Sequence, residues 1–167
     1  KVIREVFPNA KIVIDRFHVQ KLVNKALNKI RLALQLKGLK NRYLLMNNQQ
    51  NLTSEEEDDL ELILKSSPSL KIAHELKENI LKIYKSNITP LNAIRQMKKW
   101  LVSARIILAN AAETLDLHLS EICNYFKNRT TSGVTEGLNT RIKLILRQNK
   151  LDKAGEAPIY IRVIKDR

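Results

Sequence analysis

With 167 residues, 30 Lys and Arg against 17 Asp and Glu, and a formal net charge of +13 at pH 7, the chain has room for one domain, or one domain with a subdomain. Its charge calls for a polyanionic partner, nucleic acid before an acidic membrane surface. Aromatic residues amount to 5%, which favours phosphate contacts over base stacking on aromatic platforms. The single cysteine, Cys123, excludes an internal disulfide framework, no zinc-ligand spacing occurs, and no apolar run is long enough to span a bilayer.

In chain order, Val2, Ile3, Val6 and Phe7 have helical spacing and stop at the breaker pair Pro8-Asn9. Lys11-Ile-Val-Ile-Asp15 then reads as a short buried strand over 11–14, because three consecutive β-branched residues follow a turn signal. Asp15 falls at its carboxyl end, where α/β sheets bind ligands, or it is the N-cap of the following helix; these residues support both readings equally. From Phe17 to about Leu36, apolar residues at Val19, Leu22, Val23, Ala26, Leu27, Ile30 and Leu34 predict a long amphipathic helix closed by Gly38. Its other side is basic, and no acidic residue occurs between Asp15 and Glu55. Lys21, Lys25 and Lys29 recur every fourth residue and are candidate phosphate contacts, with an ordinary solvated face as the alternative. His18, taken alone, is a structural histidine near a helix start.

Tyr43, Leu44 and Leu45 suit a short helical anchor before the polar run that ends at Asn51. Thr53 and Ser54 precede Glu56 and Glu57 at capping-box spacing, and Leu60, Ile63 and Leu64 carry the helix on. That start accounts for the acidic run at 55–59, since carboxylates in a first turn meet the positive end of the helix dipole; a metal site is not needed to explain it. Ser67-Pro68 breaks that helix, and the next has Ala73, Leu76, Ile80, Ile83 and Tyr84 on one face and His74 turned to solvent. Thr89-Pro90 is a start signal, a capping hydroxyl followed by Pro at the first helical position, ahead of Leu91, Ile94, Met97, Leu101, Ala104 and Leu108. Trp100 is either a packing anchor or a contact residue. One further helix carries Leu115, Leu119, Ile122 and Phe126, with His118 off that face and Cys123 as a small core residue.

Thr131-Ser-Gly-Val-Thr reads as a loop leading into a helix with Leu138, Ile142 and Ile145 on one face. Glu136, Asn139, Lys143 and Arg147 lie on another, so one carboxylate heads a basic stripe. Periodicity alone explains this as a capped helix with a solvated face. Residues 152–158 read as a loop, and 159–164 suit either a strand or a terminal helix.

The run Phe7-Pro-Asn-Ala-Lys-Ile-Val-Ile-Asp15-Arg-Phe-His18-Val, together with Thr135-Glu136-Gly-Leu-Asn139-Thr-Arg-Ile-Lys143 far downstream, resembles the bacterial insertion-sequence DDE transposases of the ISL-three family. The resemblance implies a mainly α chain: a helical insertion bundle with a remnant, one short strand and its flanking helices, of an RNase-H-like α/β catalytic core. Residues 1–36 would belong to that core, 37–130 to the all-helical insertion, and 131–167 to a C-terminal core helix carrying Glu136 and a tail. The implied activity is metal-dependent DNA strand cleavage and strand transfer, with Mg²⁺ or Mn²⁺ held by hard carboxylate oxygens. Glu136 matches the family's final metal-binding glutamate. Asp15 and His18 match an aspartate-x-x-histidine signature and are expected as catalytic support residues, Asp15 being also an open candidate for a metal ligand. Asn139, Lys143 and Arg147, with Lys21, Lys25 and Lys29, are expected on DNA. The two remaining aspartates of the triad are expected before Lys1, which would leave this chain alone inactive and metal-free. A homo-oligomer in a bacterial cytoplasm, associated with the nucleoid and not with a membrane, completes the expectation. The alternative from charge alone is a non-enzymatic basic helical module for DNA binding or oligomerisation.

Overall fold

A helix starts more readily where a side chain can satisfy the N–H groups that a first turn leaves without partners, and the chain supplies such a side chain ahead of each of its longer helices. The computed structural model describes residues 12–129. Within them, helix α1 (Arg16–Ala33) starts at Asp15, α3 (Ser54–Lys65) at Thr53, α4 (Pro68–Lys85) at Ser67 and α5 (Pro90–Ile107) at Thr89, each cap oxygen accepting a backbone N–H two or three residues on. Thr53 and Glu56 complete a reciprocal capping box, at 3.3 and 2.9 Å. Proline at the first position of α4 and α5 costs no hydrogen bond there and presets φ for the helix. Shorter elements fill the intervals: α2 (Leu39–Met46), a 3-10 turn at Gln49–Asn51, and then α6 (Ala109–Leu117), α7 (Leu119–Cys123) and α8 (Tyr125–Asn128). The fold is mainly α, and no strand occurs among the described residues.

The short strand expected over 11–14 is therefore corrected for its described part, where residues 12–15 join no ladder. A strand needs a neighbouring strand to take up its backbone groups, and the described residues offer none. Helical elements take them up instead: the Ile14 N–H donates to the Glu121 carbonyl at 3.1 Å, and the Asn124 side-chain amide donates to the Ile12 carbonyl at 2.9 Å.

Helix α4 is the hub, packed against α1, α3 and α5, while α5 also meets α6, α7 and α8, and α1 meets α6. The core runs through Val19, Val23 and Leu27 of α1, Leu76, Ile80 and Tyr84 of α4, and Met97, Trp100 and Leu101 of α5. Trp100 is a packing anchor, its indole N–H donating to the Leu76 carbonyl at 2.9 Å. Cys123 is buried, as its spacing suggests. The single helix expected through Leu115 and Phe126 is broken into α6, α7 and α8, with the exposed His118 at the first break. Leu91 and Leu34 are exposed and not on the core faces expected of them. Gly38 does not close α1: the helix leaves through Gln35 at φ 60°, and Gly38 is the N-cap residue of α2.

His74 is also corrected, being 2% exposed and not on the surface. On a 100° wheel it lies far from the centre of the Leu76, Ile80 and Ile83 stripe, but α4 is buried over a second arc that carries His74, Lys77 and Leu81. That arc meets the end of α2. The Lys77 ammonium donates to the carbonyls of Leu45, at 3.0 Å, and Asn47, and pairs with Glu78 at 2.8 Å. Glu78 in turn accepts the Gln49 N–H at 3.2 Å. Arg129 serves a helix end in the same way, donating to the carbonyls of Tyr84 in the last turn of α4 and of Ser86, its C-cap, while Arg31 bonds Asn28 and the carbonyl of Leu36 in the link beyond α1. Terminal carbonyls carry the negative end of the helix dipole, so part of the chain's positive charge holds the bundle together.

The chain divides between residues 130 and 131 into two units, and the described residues belong to the first.

Candidate nucleic-acid interface

Asp15 adopts φ −63° and ψ 140°, and its Oδ1 accepts the Phe17 N–H at 2.9 Å. The Asp15 carbonyl accepts the His18 N–H at 3.0 Å, closing the first turn of α1. The capping reading of Asp15 is thus observed. The pair is fixed from before as well, because Ile12 and Ile14 are tied to α7 and to the Asn124 turn. His18 is exposed, with its ring edge-on to Phe17 at 6.0 Å between centroids. Asp15 lies near a buried aromatic group in which Tyr84 stacks on Phe126 at 5.4 Å and meets Tyr125 edge-on at the same separation. Burial, foremost, then Cys123, Tyr125 and Asp15 push the Tyr84 phenol far above its ordinary range.

Beyond His18, Lys21, Lys25 and Lys29 run along the exposed side of α1. A rise of 1.5 Å per residue sets them about 6 Å apart along the axis. None of the three has a carboxylate within ion-pair distance among the described residues. Of the other cations of the same basic run, Arg31 is buried in its helix end and Lys40 pairs with Asp59, whose hydrogen bond and charge raise the lysine pKa, while Arg16, Lys37 and Arg42 are also exposed and without an ion pair among the described residues. Among the described residues, packing thus leaves these three ammonium groups without acidic partners on one line. Such a line can meet successive phosphates of a nucleic-acid strand.

Beside this line, α1 and the corner between α5 and α6 leave an open groove of about 420 Å³, with Lys25 and Lys29 on its rim and Asn110 and Thr114 opposite. Sequence reasoning missed this feature, since α1 and α6 are far apart in the chain and nothing in either pattern points to the other. It also missed the buried Lys77–Glu78 pair; the adjacency of the two charges, with His74 three residues before, was the available signal.

Glu136, Asn139, Lys143, Arg147 and the segment 159–164 lie outside the described residues. Among the described residues no group of three His, Cys, Asp or Glu side chains comes together to hold a metal ion. A family model described as a transposase, of the DDE type and the ISL-three group, matches residues 1–149. No curated protein and no solved structure matches the chain.

Proposed function

The chain belongs to the ISL-three family of DDE transposases, and from that premise we propose that α1 holds the DNA on which the enzyme cuts and joins strands. The supporting observation is the line of Lys21, Lys25 and Lys29, exposed and without acidic partners among the described residues. In this reading the lysines neutralise successive phosphates and draw a strand along α1 towards Asp15 and His18. Asp15, by capping α1, sets the direction of that helix, and His18 is the exposed imidazole at its head, able to hydrogen-bond a phosphate or sugar oxygen. Asn139, Lys143 and Arg147 would contact the same DNA, and Glu136 would be one carboxylate ligand of the Mg²⁺ or Mn²⁺ that promotes phosphodiester cleavage and strand transfer. The active form is a homo-oligomer, acting in a bacterial cytoplasm at the nucleoid. Among the described residues no helix is long and apolar enough to cross a membrane.

The test of the DNA grip is a salt titration. Changing Lys21, Lys25 and Lys29 to Gln should lower the slope of log Kobs against log salt for duplex DNA by about 2–3, at roughly 0.9 for each phosphate that is no longer neutralised. An unchanged slope would refute the assignment. For the catalytic part, Glu136→Gln in a transposition-competent protein should abolish strand cleavage and leave duplex affinity within about twofold, since one carboxylate among many charges adds little to binding.

A further inference from the structure

We propose that the groove between α1 and the α5–α6 corner receives one unpaired nucleotide of the DNA held by the α1 lysines; this rests on the phosphate-contact reading above. At about 420 Å³ the groove falls among small-ligand pockets and has room for a base with its sugar. Its walls are apolar, with Ala26 and Ile30 on one side and Ile107 on the other. Lys25 and Lys29 stand on the α1 rim, and Asn110 and Thr114 face them from α6. None of the residues lining the groove is acidic.

Three chemistries meet here, and a nucleotide is the ligand that uses all of them. The lysines suit a phosphate, which fits their place on the proposed DNA line. The apolar walls suit the faces of a base, which aliphatic side chains cover when it has left its stack. The Asn110 amide, on an exposed residue, offers a donor and an acceptor to a base edge. The Thr114 hydroxyl already donates to the Asn110 carbonyl at 2.9 Å, so it presents lone pairs, the complement of an exocyclic amine. An inorganic anion has no use for the walls, and an apolar partner helix has none for two cations. A base in a matched duplex must unstack and unpair before it can enter, whereas an unpaired base has already met most of that cost. The groove would therefore make the protein prefer DNA with an unpaired nucleotide beside the phosphates that the lysines hold.

The experiment compares the 167-residue chain on a matched duplex and on the same duplex with one bulged 2-aminopurine, read by anisotropy and by 2-aminopurine emission. The bulged duplex should bind about tenfold tighter, the equivalent of one modest base contact, and its emission should change on binding. Asn110→Ala, Thr114→Val and the groove-filling Ala26→Phe should each reduce the preference and leave matched-duplex affinity unchanged. Should Ala26→Phe fail to fold by circular dichroism, the two substitutions at exposed positions decide the matter. Equal affinity of the unaltered chain for both duplexes, or a preference that survives both exposed-site variants, overturns the groove assignment alone. Failure to bind either duplex at low salt overturns the phosphate-contact reading and the groove with it.

Discussion

Lys77→Met removes an ammonium from the centre of the bundle and keeps nearly the same length and helix propensity. The lysine is 2% exposed, donates to the last carbonyls of α2 and lies 2.8 Å from Glu78. Deleting one member of a buried pair typically costs about 3–5 kcal/mol, because the other charge is left uncompensated. The Leu45 and Asn47 carbonyls add about 1–3 kcal/mol if water does not reach them. Against this stands the relief of burying a cation, the leading cause that holds the Lys77 pKa below its ordinary value. Glu78 keeps the Gln49 N–H as a partner and some access to water, so the low end applies. We expect a loss of about 3 kcal/mol, and a fall in Tm on the order of 10 °C for a domain of this size. Urea titration should show a lower midpoint at unchanged m. Lys77→Met combined with Glu78→Gln should recover part of the loss, since no buried charge remains unpaired. A single-variant loss under about 1 kcal/mol, or a double variant that simply adds two losses, would refute this account of the α2–α4 junction.

His74 should make stability fall with acid. Burial first, then the Lys77 charge, lower its pKa from 6.5 to about 4, with Glu78 opposing. The folded chain thus keeps His74 neutral while the unfolded chain takes up a proton below pH 6.5. Stability should drop as pH falls from 6.5 to about 4 and then level for this group, a loss of about 3 kcal/mol at 1.36 kcal/mol per pH unit. In His74→Gln, urea midpoints across that range should lack this slope, and an unchanged slope would assign it elsewhere. Among the described residues the buried Tyr84 hydroxyl has no hydrogen-bond partner, so Tyr84→Phe should leave stability unchanged or raise it by about 1 kcal/mol; a loss of more than about 1 kcal/mol would reveal a partner. Burial pushes the Cys123 thiol up to about 11, so a thiolate reagent at neutral pH should modify the chain only at the rate at which it unfolds. Labelling at the rate of a free peptide thiol would contradict that.

The helix starts at Thr53 and Thr89, and the two readings of Asp15 as site or cap, were legible in the residues because capping is a transaction within one turn. A hydroxyl or carboxylate three positions before the helix interior meets its N–H whatever the rest of the chain does. The core faces of α1 and α4 were legible for a similar reason: period 3.6 is a property of the helix itself, and Val19, Val23 and Leu27, or Leu76 and Ile80, declare the side they bury. The membership of a transposase family was legible too, from two motifs more than a hundred residues apart.

Which polar groups turn inward depended on partners remote in sequence. Nothing near His74 or Lys77 predicts that the end of α2, some thirty residues earlier, will arrive over them and supply carbonyls to a buried ammonium. The same holds for the basic run after Asp15, whose members look alike until packing sends Arg31 inside, pairs Lys40 with Asp59 and leaves the others, Lys21, Lys25 and Lys29 among them, to solvent. Ile12 to Ile14 have the composition of a strand, yet a strand is a relation between two segments; with Glu121 and Asn124 as neighbours those backbone groups bond to helices. Local chemistry sets where helices start and which stripe is apolar, and the long-range assembly decides which charges are buried, paired or left at the surface.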